Sequence, residues 1–153
     1  MALIPGQKAP DFTLYSSELK EVSLSDFKSK KLIIHFFPMA FTVVCTDQLC
    51  TMRDSFGFYE GLNADVLGIS VDSPFTLAKF KEENHYQFPL LSDFNKEVSQ
   101  AYGAFYEDFV FGMKGVAKRA AFVIDEDQRL RYAEVLEAAS DLPNFEAIKN
   151  SLI

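Results

Sequence analysis

The stretch Lys31-Leu-Ile-Ile-His-Phe-Phe-Pro38-Met-Ala-Phe-Thr42-Val-Val-Cys45-Thr-Asp-Gln-Leu-Cys50 decides how the rest of the chain is read. Residues 31–37 form a nearly continuous apolar run, the pattern of a strand buried on both faces. Pro38 ends that strand, because proline has no N–H to give to a sheet ladder. From Thr46 to Tyr59 polar and apolar residues mix, which predicts a helix. Cys45 therefore falls just after a strand, at or near the first turn of a helix. Unpaired backbone N–H groups and the helix dipole favour a thiolate at such a place.

Upstream, Ile4 to Leu14 carries two prolines and a glycine and begins as an irregular arm. Phe12 and Leu14 then alternate as in a short strand, and Lys20 to Leu24 can form the other half of a hairpin. Ser25 to Lys28 is a turn into the buried strand. Downstream, residues 65–71 predict a second buried strand. A surface helix follows over Pro74 to Asn84, with proline at a favoured helix start. Residues 89–92 are extended, and Lys96 to Tyr102 is a short helix. Residues 118–125 predict a third buried strand, paired with an alternating strand at 128–135, and Asn144 to Leu152 closes the chain as a helix. Strand and helix in alternation imply an α/β sheet with crossover helices.

Composition narrows the function. The 153 residues suit one domain over 1–153 with a real core; hydrophobic residues make up 48% and charged residues 24%, so the chain is globular. Sixteen Phe and no Trp point to a phenylalanine-rich core. A net charge of −7 argues against a nucleic-acid binder, which needs a basic stripe. No apolar run reaches the ~18 residues of a membrane span. The N-terminus lacks a basic start followed by an apolar region, so a cytoplasmic location is expected. Two cysteines in such a chain suggest redox chemistry rather than a structural staple. His35, inside the buried strand, and His85, at a helix end, are scattered and make no metal site with the cysteines. No phosphate loop or dinucleotide fingerprint is present, so no cofactor is expected.

The spacing Pro38-x-x-x-Thr42-x-x-Cys45, together with Gly6-x-x-Ala9-Pro10-Asp11-Phe12, resembles the peroxiredoxins, thiol peroxidases of the thioredoxin-like fold. The resemblance covers nearly the whole chain. It implies a central mixed sheet flanked by helices with an N-terminal hairpin extension. It also implies that Cys45 attacks a peroxide, that Thr42 and the Cys45 N–H receive its oxygens, and that Pro38 shields the thiolate. The family's arginine opens an Arg-x-x-Phe-Val-Ile-Asp type motif, which matches Arg119. Arginine suits the task because its planar fork of donors stays charged. Arg53, in the central helix, is a weaker candidate whose ordinary role is an ion pair, for instance with Asp54.

Cys45 and Cys50, with four residues between them, resemble the bacterioferritin-comigratory, or peroxiredoxin Q, subgroup. That likeness implies that a Cys45 sulfenic acid condenses with Cys50 to a disulfide, which thioredoxin or a similar dithiol then reduces. On one regular helix the two Cα atoms lie ~8–9 Å apart, beyond the ~7 Å a disulfide spans, so that pairing requires the first turns to unwind. The wording Phe-Phe-Pro-x-Ala-Phe-Thr also resembles a one-cysteine bacterial subgroup, in which an external thiol resolves the sulfenic acid and Cys50 is a core residue.

The aromatic segment Tyr102 to Gly115 has no clean period. It is either an irregular segment packed on the core or a wall of the active site or of a subunit interface. A homodimer would use it together with Phe41, and a monomer is the alternative. Two other classes stay open. A thioredoxin-type oxidoreductase would need Cys-x-x-Cys, which is absent, and a non-enzymatic binding or chaperone module would survive Cys45→Ser.

Overall fold

A computed structural model of the chain describes residues 2–153. The N-terminal hairpin pairs β1 (Thr13–Ser16) with β2 (Glu21–Ser23), and a 3-10 turn at Leu24–Phe27 follows. Its Ser23 N–H is capped by the Asp26 carboxylate at 2.9 Å. Next come β3 (Lys31–Phe36), α1 (Val43–Asp54), α2 (Phe56–Gly61), β4 (Ala64–Ser70) and α3 (Pro74–Asn84). Then follow β5 (Leu90–Ser92), α4 (Glu97–Ala101), β6 (Phe105–Tyr106), β7 (Val116–Ala117), β8 (Ala120–Ile124), β9 (Leu130–Val135) and α5 (Phe145–Ser151).

Among the described residues the main sheet has seven strands in the order β2-β1-β5-β4-β3-β8-β9. The pairs β3/β4 and β4/β5 are parallel, as helical crossovers require, whereas β3/β8, β8/β9 and β1/β5 are antiparallel. This is the mixed α/β sheet expected. Alternation along β3 sorts its side chains between two cores. Ile33 and Phe37 pack with Leu49, Met52, Leu77 and Phe80 of the helices. Leu32, Ile34 and Phe36 pack on the other face with Tyr102 and Phe122. His35 shares the helix-facing side, because it alternates with Ile34 and Phe36.

The largest boundary difference from the sequence lies in the central helix. The central helix begins at Val43 rather than Thr46, and it breaks at Ser55 into two helices instead of running to Tyr59. The β-branched pair Val43-Val44 is a poor helix opening by propensity, yet both positions stay helical. The aromatic segment is also more ordered than expected: β6 and β7 pair as a small second sheet. Between them the chain turns through Phe111, whose φ is 58° and whose side chain is 95% exposed.

Candidate active site

The site is built where β3 gives way to α1. Residues 38–42 turn the chain, and Phe41 takes a φ of 68°, a left-handed conformation that is costly for a bulky side chain. Neighbouring groups hold the turn in place. The Ala40 N–H donates to the Asp72 carboxylate at 2.8 Å, and that carboxylate also accepts from the Ser70 hydroxyl at 2.6 Å. The Phe41 ring rests on Phe80 with centroids 5.1 Å apart. Thr42 occupies the N-cap position of α1 but does not cap it. Its hydroxyl donates to the Met39 carbonyl at 2.8 Å instead. The first-turn N–H groups of α1, that of Cys45 among them, therefore receive no side-chain cap.

Cys45 is 1% exposed and Arg119 is 2% exposed. Arg119 stands directly before β8, which lies beside β3, so its side chain reaches the start of α1. Its Nη1 donates to the Cys45 Sγ at 3.2 Å and to the Gln48 Oε1 at 2.9 Å. Its Nε and Nη2 both donate to the Ala139 carbonyl, at 3.2 and 2.8 Å. Four of the five guanidinium hydrogens are thereby used. One Nη2 hydrogen has no protein acceptor among the described residues.

Above the thiol opens a cavity of about 250 Å³ lined by Pro38, Met39, Thr42, Val43, Val44, Cys45, Phe109, Val110, Phe111, Met113, Arg119 and Ala139. Pro38, Thr42, Cys45 and Arg119, the four residues predicted to act together, thus share one cavity. The aromatic segment supplies one of its walls. The cavity is almost wholly apolar apart from Thr42 and the Cys45–Arg119 pair. In such surroundings a cation beside a thiol acts at higher strength than in water.

Cys50 lies elsewhere. It is half-buried on α1, with its Sγ 3.6 Å from the Tyr86 hydroxyl and 3.9 Å from the Asn84 Oδ1. Burial first, and then the contact with Cys50, push the Tyr86 hydroxyl's pKa up. Arg53 makes the expected ion pair with Asp54 at 3.0 Å and also donates to the Asn84 carbonyl at 2.9 Å. Both cysteines are free thiols. Among the described residues no cluster of three or more His, Cys, Asp or Glu side chains could hold a metal ion, and no helix is long and apolar enough to cross a membrane.

Two parts of the site escaped the sequence reading. Gln48 lies three residues past Cys45, on the same face of α1, and that spacing was the available signal. The Ala139 carbonyl had none, because a backbone acceptor leaves no mark in the sequence.

A buried thiol at a helix start, held against a buried arginine on a thioredoxin-like sheet, defines a protein of cysteine redox chemistry. Comparison with known proteins carries the assignment further. The pattern of the AhpC/TSA family matches residues 5–133. A Mycobacterium tuberculosis protein named as a peroxiredoxin is 42% identical over 134 residues, covering 86% of this chain and 85% of its own. A Haemophilus influenzae protein, named as the peroxiredoxin bcp, is 43% identical over 123 residues, 79% of each chain. The crystal structure of peroxidoxin BcpB from Mycobacterium tuberculosis superposes with a TM-score of 0.85 at 29% identity, over 97% of this chain and 95% of that one. The chain belongs to the AhpC/TSA family, the peroxiredoxins, and is a thiol-dependent peroxidase.

Proposed function

We propose that Cys45 is the peroxidatic thiol, with Arg119, Thr42 and Pro38 as its partners, and that Cys50 resolves the oxidised form. The observation that carries this reading is the 3.2 Å contact between the Arg119 Nη1 and the Cys45 Sγ at the base of the cavity. The cation favours the thiolate, which is the nucleophile. The thiolate sulfur attacks one peroxide oxygen, an S–O bond forms and the O–O bond breaks. The electron pair leaves on the second oxygen, which takes up a proton and departs as water or an alcohol. The spare Nη2 hydrogen of Arg119 and the Cys45 N–H stand ready for the charge that builds on that oxygen. The Thr42 hydroxyl already donates to Met39, so its lone pairs remain to accept the O–H of a hydroperoxide. Pro38, buried and lining the cavity, keeps water from the sulfur.

The Cys45 sulfenic acid then condenses with the Cys50 thiol, releasing water and forming a disulfide. Both cysteines lie on α1, so this step requires its first turns to open. Opening a helix end costs far less than global unfolding. A thioredoxin-like dithiol takes the disulfide back to two thiols. Two free cysteines suit a reducing compartment, the cytoplasm. Every group named comes from a single domain over 1–153, so a monomer suffices. A homodimer would bury the exposed Val43 and Phe111 of the cavity lining together with the exposed Phe41.

One observation favours the reading in which Cys50 stands aside: its contacts with Tyr86 and Asn84 lie apart from the cavity. Peptide mass mapping after one equivalent of hydrogen peroxide decides between the two. A Cys45–Cys50 disulfide is expected in the wild type, with sulfenic acid trapped at Cys45 in Cys50→Ser. Sulfenic acid at Cys45 in both would demote Cys50 in favour of an external thiol. An unmodified Cys45 in both would end the assignment.

A further inference from the structure

We propose that His35 is a positioning residue for the peroxide reaction, acting through Gln48 to hold Arg119 against Cys45. The proposal rests on the assignment of Cys45 and Arg119 to that reaction. Arginine has only donors, so the Gln48 atom 2.9 Å from its Nη1 must be the carbonyl oxygen. The amide nitrogen of Gln48 then faces β3. There it meets the His35 Nδ1 at 2.8 Å and the Phe36 carbonyl at 3.3 Å. Since the amide nitrogen donates, the His35 Nδ1 accepts, and the ring is neutral with its proton on Nε2. Burial pushes the His35 pKa down to about 3, in keeping with a neutral ring. The two ends of the Gln48 amide are thus fixed by partners of opposite kind, one only a donor and one an acceptor. Rotation of the amide would break both contacts.

Packing alone does not account for a histidine here. The Nε2 has no hydrogen-bond partner among the described residues, and an unpaired buried donor costs stability that an apolar side chain would not. The ring stacks against Phe145 with centroids 6.1 Å apart, and its register partners are Gly68 on β4 and Ala121 on β8. What histidine supplies, and leucine does not, is a second and closer acceptor, beside the Phe36 carbonyl, that ties the Gln48 amide to β3.

The test compares two rates at Cys45, oxidation by hydrogen peroxide in a single turnover and alkylation by iodoacetamide. Alkylation needs a reactive thiolate but no donor placed for an O–O bond. His35→Leu is expected to slow peroxide oxidation about tenfold, less than the loss of a direct donor, and to slow alkylation several-fold less, because alkylation loses only the thiolate that Arg119 favours. In a Gln48→Met background His35→Leu should add nothing, because its route of action is gone. His35→Asn, whose Oδ1 overlays the lost Nδ1, should restore most of the rate. An unchanged peroxide rate in a folded His35→Leu protein, an equal fall in both rates, or losses that multiply in the double variant would overturn the proposal. If His35→Leu does not fold, His35→Asn carries the test: a peroxide rate near wild type is expected, and a tenfold loss overturns it. Oxidation that survives Cys45→Ser would instead remove the Cys45 assignment, and this proposal with it.

Discussion

The two thiols stand five residues apart on one helix and meet opposite surroundings. Cys45 is sealed at the base of an apolar cavity, and a buried arginine donates to it while three of its other hydrogens are committed to Gln48 and Ala139. Cys50 is half-buried beside a tyrosine hydroxyl and an asparagine, and the nearby Arg53 spends its charge on Asp54 at the surface. The difference teaches how one helix can hold two thiols in unlike settings, as the two proposed roles require. The first thiol lies where electrostatics are fixed in advance of the reaction. The second is parked where ordinary hydrogen bonds hold it, and on the proposed mechanism it would reach the first only after the backbone moves.

Removing each thiol's nearest arginine sharpens that contrast most. Arg119→Met should cut the single-turnover rate of Cys45 oxidation by about 10²–10³, the loss expected for a donor aimed at developing charge. Arg53→Met, made beside Cys50, should leave that rate within about twofold, because Arg53 bonds Asp54 and Asn84 and not the cavity. Stopped-flow measurement of both variants checks the pair. Comparable losses would mean that the field at Cys45 comes from the net charge of α1 and not from the clamp.

The next effect is on acid stability, and it also belongs to the Cys45 side. Folding lowers the pKa of His35 from the usual 6.5 to about 3, because burial penalises the charged ring. Between those values the unfolded chain binds the proton and the folded one does not. His35's share of stability is therefore intact above about pH 6.5 and is lost as the pH falls toward 3. The slope is at most one proton, about 1.4 kcal/mol per pH unit. Urea midpoints of wild type and His35→Leu at pH 7 and pH 5 check this, with the larger acid loss expected in the wild type. Equal losses would place the acid sensitivity in other groups.

Much of this arrangement was legible in the sequence, for physical reasons that differ by element. The strand at 31–36 showed because it is buried on both faces and so reads as unbroken apolar sequence. Pro38 showed because proline cannot continue a ladder. α3 matched its expected bounds, Pro74 to Asn84, because proline opens it and Ser73 caps it, accepting from the Thr76 N–H. The start of α1 was missed because Val43 and Val44 disfavour a helix locally, while the pinned turn before them imposes one. Pairing of Arg119 with Cys45 followed from a family likeness and not from the residues alone, since 74 positions separate them. Gln48 and His35 went unread because each takes its meaning from a partner on another element.

Whether α1 keeps the thiols apart can be tested at Thr46. Thr46 lies between them in the first turns and donates its hydroxyl back to the Thr42 carbonyl at 2.8 Å, a contact that does little to stabilise a helix. Helix propensity runs over about 1 kcal/mol from alanine to glycine, with threonine between. If the thiols meet by unwinding this segment, disulfide formation after one equivalent of peroxide should be fastest in Thr46→Gly and slowest in Thr46→Ala. About fivefold should separate the extremes, since 1.4 kcal/mol corresponds to tenfold. The preceding step, sulfenic acid formation at Cys45, should vary less, because the Arg119 contact is made with the helix still wound. Rates that ignore this order would mean that the two thiols do not come together by opening α1. A disulfide between neighbouring molecules, recognised by its dependence on protein concentration, would then be the route that the separation of the two sites leaves.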